Sequence, residues 1–194
     1  MALCCSHTAA GYLAYEAVRP AGAHRPLWLA AAVGLANAAD LDFVPGILLG
    51  RPGMFHRGVT HTVAAVAVVG VVVALGAWLA RRPTARWDRV ALWASAVYAS
   101  HLLLDYFTID ARPPYGGRFL WPFSEAYYLS PVTLLPEIVV DPRGRGAFFA
   151  SLVAPHTLPV WVEEIGLLLL VVVAVHALRA VLAWPAWQGV AEEP

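Results

Sequence analysis

The sequence predicts an all-α integral membrane bundle of about four to five helices with one long irregular loop. Three observations carry that expectation. Apolar residues make up 60% of the 194 positions and charged residues only 13%, where a soluble domain sits nearer half and a quarter; lipid as solvent accounts for the shift. The runs Thr62–Ala80 and Leu158–Trp184 each approach or exceed the ~20 residues that cross ~30 Å of hydrocarbon. Between Asp110 and Pro159, Pro113, Pro114, Pro122, Pro131, Pro136, Pro142 and Pro155 forbid a long helix.

In chain order, Ser6–Val18 is apolar but short, a helix inserted part of the way or leaning on its neighbours, with Ser6 as its N-cap. Leu27–Val44 is a span ending in Asp40 and Asp42. A connection rich in glycine and proline, Phe43–Thr60, leads into the run from Thr62. Val90–Ile109 is long enough to span, although it carries His101 and Asp105. The irregular region 110–159 has the length of a loop that covers a site, and a last span occupies about 160–184. No repeat is visible, and 1–194 reads as one domain.

Charge narrows the function classes. Net charge is zero and all 13 basic residues are arginine, so no basic face is available for nucleic acid. The short connections 19–26 and 81–89 hold Arg19, Arg25, Arg81, Arg82, Arg86 and Arg89, which favours the cytoplasm for that side. Arg51, Arg57, Arg112, Arg118, Arg143 and Arg145 lie on the other side, mostly in the long loop, where the rule is weak. Adjacent Cys4 and Cys5 suit neither a disulfide nor a thiolate zinc site; acylation is conceivable, but two small apolar residues is the simpler reading. The N-terminus lacks the features of a cleaved signal and is expected to be retained.

The polar residues inside this apolar chain fall in a pattern. In an up-and-down bundle, the starts of odd segments share one face with the ends of even ones. His7, Asp40, Asp42, His56, His61, His101 and Asp105 all map to that face as candidate metal ligands. His101 and Asp105 are four apart, hence on one side of a helix, and ionisable groups within a span usually face the interior and serve a function. Asp40 and Asp42 diverge on a helix, so they are expected where it unravels before Pro45. There one binds metal and the other binds a second ion or orients a histidine. His56-Arg57-Gly58-Val59-Thr60-His61 suits a loop-to-helix corner, with Gly58 allowing the tight backbone, Thr60 capping the next helix and Arg57 placed to hold an anion. Gly11, one turn past His7, leaves room for a close neighbour. His24 and His176 read as incidental, and His156 has no matched partner.

Together these strings resemble the YdjM-like inner-membrane proteins of bacteria, described as LexA-regulated metal-dependent hydrolases. The resemblance rests on His7 with Gly11, DLDFVP from Asp40 to Pro45, HRGVTH from His56 to His61, HLLLD from His101 to Asp105 and GGRFLWPFS from Gly116 to Ser124. It covers roughly residues 5–135, while the last segment carries little of it. It implies a multi-pass protein of the bacterial inner membrane and a hydrolase of unsettled substrate; the LexA label concerns control of expression and implies no DNA contact. More distantly, the order His, Asp, His, HxxxD is similar to the zinc-dependent phospholipase C and P1 nuclease superfamily. That similarity implies His7, Asp40 or Asp42, His61, His101 and Asp105 as ligands. The superfamily's later HxxxE pair has no counterpart here: four residues after His156 stands Val160, and Glu163 and Glu164 fall at other spacings. One or two ions are therefore expected, not three.

Histidine and carboxylate without thiolate suit Zn²⁺, with Mn²⁺ or Fe²⁺ as alternatives. The expected function is metal-activated water attacking a (phospho)ester of a lipid or amphiphile, with Asp40 or Asp42 as general base. Arg57, Arg118 and Trp121 are the expected substrate contacts, and the bilayer is the expected partner. The competing classes are a non-catalytic metal-binding membrane protein and a metal-ion transporter. A transport site tends towards the bilayer midplane in repeated halves, whereas this cluster lies at a rim.

Overall fold

The computed structural model describes residues 3–18, 25–80, 87–111 and 113–188, with side chains through Leu182. Arg19, His24, Arg81, Arg82, Arg86 and Arg112 lie outside the described residues, so the arginine-based orientation is not addressed there. The described residues form helices α1 (Cys4–Val18), α2 (Arg25–Asn37), α3 (Phe43–Leu48), α4 (Val63–Leu79), α5 (Trp87–Tyr106), α6 (Arg145–Leu152) and α7 (Leu158–Gln188). The 3-10 turn Ala38–Asp42 joins α2 to α3, and Val59–His61 and Pro155–Thr157 precede α4 and α7. No strand occurs among the described residues, only isolated bridges such as Gly117 with Tyr128.

The helices pack around α5 and α1. α5 lies against α4, α2 and α1, and α1 also meets α2 and α7. The α1–α2 approach depends on Gly11, where a Cβ would sit 2.8 Å from the Ala32 carbonyl oxygen and 2.9 Å from Val33 Cα. Only glycine fits so close a backbone. Tyr98 and Leu102 of α5 bury against Ala39, with Val66 and Val69 of α4 and Phe119 of the long loop packed on them. That loop is fastened to the bundle end: Val63 N–H donates to the Phe119 carbonyl at 2.8 Å, and Ser130 N–H to that of Tyr106 at 3.0 Å.

Among the described residues, two helices are long and apolar enough to cross a membrane, Arg25–Leu48 and Pro155–Leu182. α4 has 17 residues, and α5 carries Asp88, Arg89, His101 and Asp105 within its 20; neither meets that test on length and composition. The outer faces nevertheless suit lipid. The most apolar stretch of α7 has no buried residue, and Val68, Val71, Val72, Leu75 and Trp78 of α4 are exposed. So continuous an apolar surface is not held in water without penalty.

Local expectations are corrected in four places. α1 begins at Cys4, so Ser6 lies inside the first turn and is not its cap. α4 is capped by Thr62, whose hydroxyl accepts the Ala65 N–H at 3.3 Å, and not by Thr60. The region 110–159 is not irregular throughout: Arg145–Leu152 lies between Pro142 and Pro155, free of proline, and coils into α6, whose Phe148 packs on Phe43 at 5.4 Å between ring centroids. The last helix is longer than 160–184, running from Leu158 to Gln188, with Pro159 tolerated in its first turn.

Candidate metal centre

All seven candidate ligands meet where α1 and α4 begin and α2 and α5 end. The 3-10 turn after α2 presents Asp40 and Asp42. The chain does not unravel before Pro45 but tightens into this turn and continues as α3, with Pro45 in its first turn, so the connection 43–60 begins as a helix. The corner His56–His61 brings two histidines beside them. Its tight turn is taken by Arg57, at φ +58°. Gly58 is needed for a different reason, because a Cβ there would sit 2.7 Å from the Phe55 carbonyl oxygen.

At the innermost point, four ligand atoms converge. His61 Nε2 lies 3.2 Å from His101 Nε2 and 3.5 Å from both Asp40 Oδ1 and Asp105 Oδ2. His101 Nε2 lies 3.5 Å from Asp40 Oδ1 and 3.6 Å from Asp105 Oδ2. A tetrahedral shell with bonds of ~2.0–2.2 Å has edges of roughly 3.3–3.6 Å, so these separations match what zinc asks of nitrogen and oxygen ligands. His7 adjoins this set, its ring stacked on His101 at 3.6 Å and its Nε2 3.9 Å from Asp105 Oδ1.

The ring orientations point the same way. His101 Nδ1 lies 2.8 Å from the Ala36 carbonyl, which can only accept, so Nδ1 donates and Nε2 keeps its lone pair in the neutral ring. Asp42 Oδ1 does the same for His56, accepting from Nδ1 at 3.1 Å, while His61 Nδ1 meets the Thr60 hydroxyl oxygen at 3.0 Å with Asp42 Oδ2 at 3.2 Å. The Thr60 hydroxyl donates to Asp42 Oδ2 at 2.8 Å and holds the carboxylate in turn. A histidine whose far nitrogen is fixed by a carboxylate or carbonyl is what a metal site requires. Asp42 therefore sits as an orienting group, one of the two roles expected for the pair.

The donor set fits a cation by a second criterion. Both nitrogens of His7, Asp40 Oδ1, His56 Nε2 and both oxygens of Asp105 are buried with no hydrogen-bond partner. Each such atom costs about 1–3 kcal/mol if left bare. Two groups, His7/His101/Asp105 and Asp40/His56/His61, each hold ligand atoms within 4.8 Å of one another. Outside the helices, burial lowers the His56 pKa against the pull of Asp42. At His61 burial also lowers it, but the carboxylates of Asp40 and Asp42 prevail and raise it to about 9. Without metal the cluster thus holds a proton at His61, where a metal would replace it.

A cavity of about 1190 Å³ opens beside Asp42, His56 and Thr60. Its wall is apolar through Leu41, Phe43, Met54, Phe55 and Val59, and Arg51, Arg57 and Arg118 also line it. Arg57 is engaged: its guanidinium pairs with Asp110 and donates to the Gly116 carbonyl at 3.3 Å. Arg118 pairs with Glu125 at 3.1 Å. Trp121 does not line the cavity; Tyr127 is the aromatic the loop supplies there. His156 is exposed on its 3-10 turn, and exposed His176 lies 3.4 Å from the Tyr12 hydroxyl; neither joins the centre.

Sequence reasoning missed what three residues hold. Thr60 holds Asp42, Asp110 holds Arg57, and Glu164 on α7 is 1% exposed and binds the start of α1. An acid inside an apolar run is itself a signal of function, and Glu164 was legible on that ground. No curated protein and no solved structure matches the chain. The model of the YdjM inner membrane protein family, however, matches residues 1–186, so the likeness reaches into the last turn of α7 and is not confined to residues 5–135. With the ordered His/Asp motifs gathered at one site and that match over nearly its whole length, the chain belongs to the YdjM inner membrane protein family.

Proposed function

We propose that this protein is a membrane-bound metal-dependent hydrolase whose substrate is a (phospho)ester of a lipid or other amphiphile. The observation that supports it most is the set of buried, unpartnered His and Asp atoms beside an open cavity. A structural clamp closes its shell with four ligands, whereas a catalytic site leaves a position for water. Here His7 and His56 add donors beyond the four-atom set.

His61, His101 and Asp105 are the ligands of one ion in this reading, with His7 and Asp105 Oδ1 beside them for a second. Zn²⁺ is the favoured metal, and Mn²⁺ or Fe²⁺ also suit the donors. Such an ion supplies Lewis acidity, lowering the pKa of water towards ~7 and polarising the ester oxygen. Asp40 is 19% exposed and its Oδ1 has no hydrogen-bond partner; in this reading it does not close the four-atom set as a ligand but stands beside the position left to water and accepts that water's proton. Asp42 holds His56 and His61 in their orientation. Arg51 and Arg118 meet the anionic part of the substrate, and the apolar wall takes its tail. Arg57 contributes by fastening the loop through Asp110.

The same reading makes α4 and α5 membrane helices alongside the two longer ones, in a multi-pass fold with the centre on the extracytoplasmic face. Exposed valines and leucines on α4 support it. The site lies at the rim: Asp105 is one residue from the end of α5, which suits hydrolysis at the surface better than conduction through the midplane. The test is turnover of phosphoester and lipid-ester panels by purified, metal-loaded protein in detergent. Turnover lost on Asp40→Asn supports the reading; stoichiometric metal with no turnover of any member sinks it.

A further inference from the structure

α7 is apolar over most of its length, yet Glu164 in its second turn is buried. Its carboxylate is not part of the His/Asp cluster. Oε1 accepts the Leu3 N–H at 2.5 Å, and Oε2 accepts the Ser6 N–H at 3.0 Å. A helix start leaves four N–H groups open, and α1 has no acidic residue of its own in its first turn. A carboxylate supplied from another helix satisfies donors there and meets the positive end of the helix dipole.

The next residue after Ser6 is His7. Its ring is fully buried, stacks on His101 with an interplanar angle of 11°, and has no hydrogen-bond partner on either nitrogen. No hydrogen bond to the ring sets its place, so the backbone of the first turn of α1 does, together with the stack. We propose that Glu164 is a positioning residue of the centre: by holding the first turn of α1 it sets where His7 stands, so that docking of α7 and ligation by His7 are coupled. This rests on the reading of the cluster as a metal site. It makes α7, which carries none of the seven candidate ligands, part of the machinery of the centre.

The alternative is that Glu164 caps α1 for the sake of the fold alone, and a double-mutant cycle separates the two. Zinc affinity of the full-length protein in detergent is measured by chelator competition, and the Co²⁺-substituted absorption spectrum is recorded alongside. Glu164→Ala is expected to weaken zinc about tenfold or more, the range for groups that orient ligands, and to give the altered Co²⁺ spectrum of His7→Ala. Added to His7→Ala, it is expected to change affinity by less than about twofold. The neighbouring exposed Glu163→Ala should leave both readouts as they are. If Glu164→Ala does not fold, Glu164→Gln, which keeps the shape and loses one acceptor, takes its place in the same cycle. Equal losses with and without His7 would overturn the proposal, as would an affinity indifferent to either change. A wild-type protein that binds no zinc would instead remove the metal site itself.

Discussion

The inner and outer halves of the centre differ in how their polar atoms are satisfied. Inside, His7, His61, His101 and Asp105 are almost wholly buried, and the atoms they turn towards one another include several with no hydrogen-bond partner. Outside, Asp42, Thr60 and Arg57 come from a 3-10 turn and a loop, and their side chains are engaged with one another or with the covering segment. Burying polar groups without partners is unfavourable unless something else binds them. The inner half could therefore hold an ion, and the hydrogen bonds of the outer half fix the groups around it.

Substitutions should follow that division. Removing an inner ligand by His101→Ala is expected to have the largest effect, a loss of metal affinity beyond the ~100-fold that orienting groups reach, read by chelator competition. Asp42→Asn should come next, at ~10–100-fold, because one amide oxygen cannot serve His56, His61 and Thr60 as two carboxylate oxygens do. If Asp42→Asn outweighs His101→Ala, the assignment of inner and outer is reversed.

A pH series sharpens the same comparison. The raised pKa of His61, about 9, means that the metal-free centre holds that proton below pH 9, and metal must displace it. Apparent zinc affinity should rise about tenfold per pH unit as pH approaches 9 and then level off. A profile flat from pH 7 to 9 would show that His61 is not a ligand. The smallest effect on metal is expected from Asp110→Asn. It loosens the Arg57 tether and lowers the midpoint of thermal unfolding, with zinc affinity unchanged within about twofold. A large loss of zinc there would place the covering loop inside the metal shell.

Much of this centre was legible in the sequence because helical spacing is rigid. HLLLD puts His101 and Asp105 on one helix face, and the alternation of segments puts His7, Asp40 and His61 at the same end. Gly11 announced a close helix contact, and Ala32 makes it. What spacing could not supply was the identity of partners across the chain. Asp42 was equally suited to ligate or to orient until His56 and Thr60 were seen on it. Arg57 looked like a free anion clamp, because Asp110 is 53 residues away along the chain. Trp121 looked like a substrate contact, but loop geometry turns Tyr127 to the cavity instead. Composition identifies two of the expected four to five spans among the described residues: α4 is one residue short of eighteen, and α5 is long enough but carries Asp88, Arg89, His101 and Asp105, which hide it from a test of apolarity.

The most direct test is elemental analysis of the purified protein beside its His61→Ala and Asp105→Ala variants. These residues come from the corner before α4 and the end of α5, and their side chains meet at 3.5 Å. If they share one ion, the wild-type protein carries at least about one equivalent of a divalent metal and both variants lose it. Metal retained at full stoichiometry in either variant, or absent from the wild type, would contradict a shared metal centre.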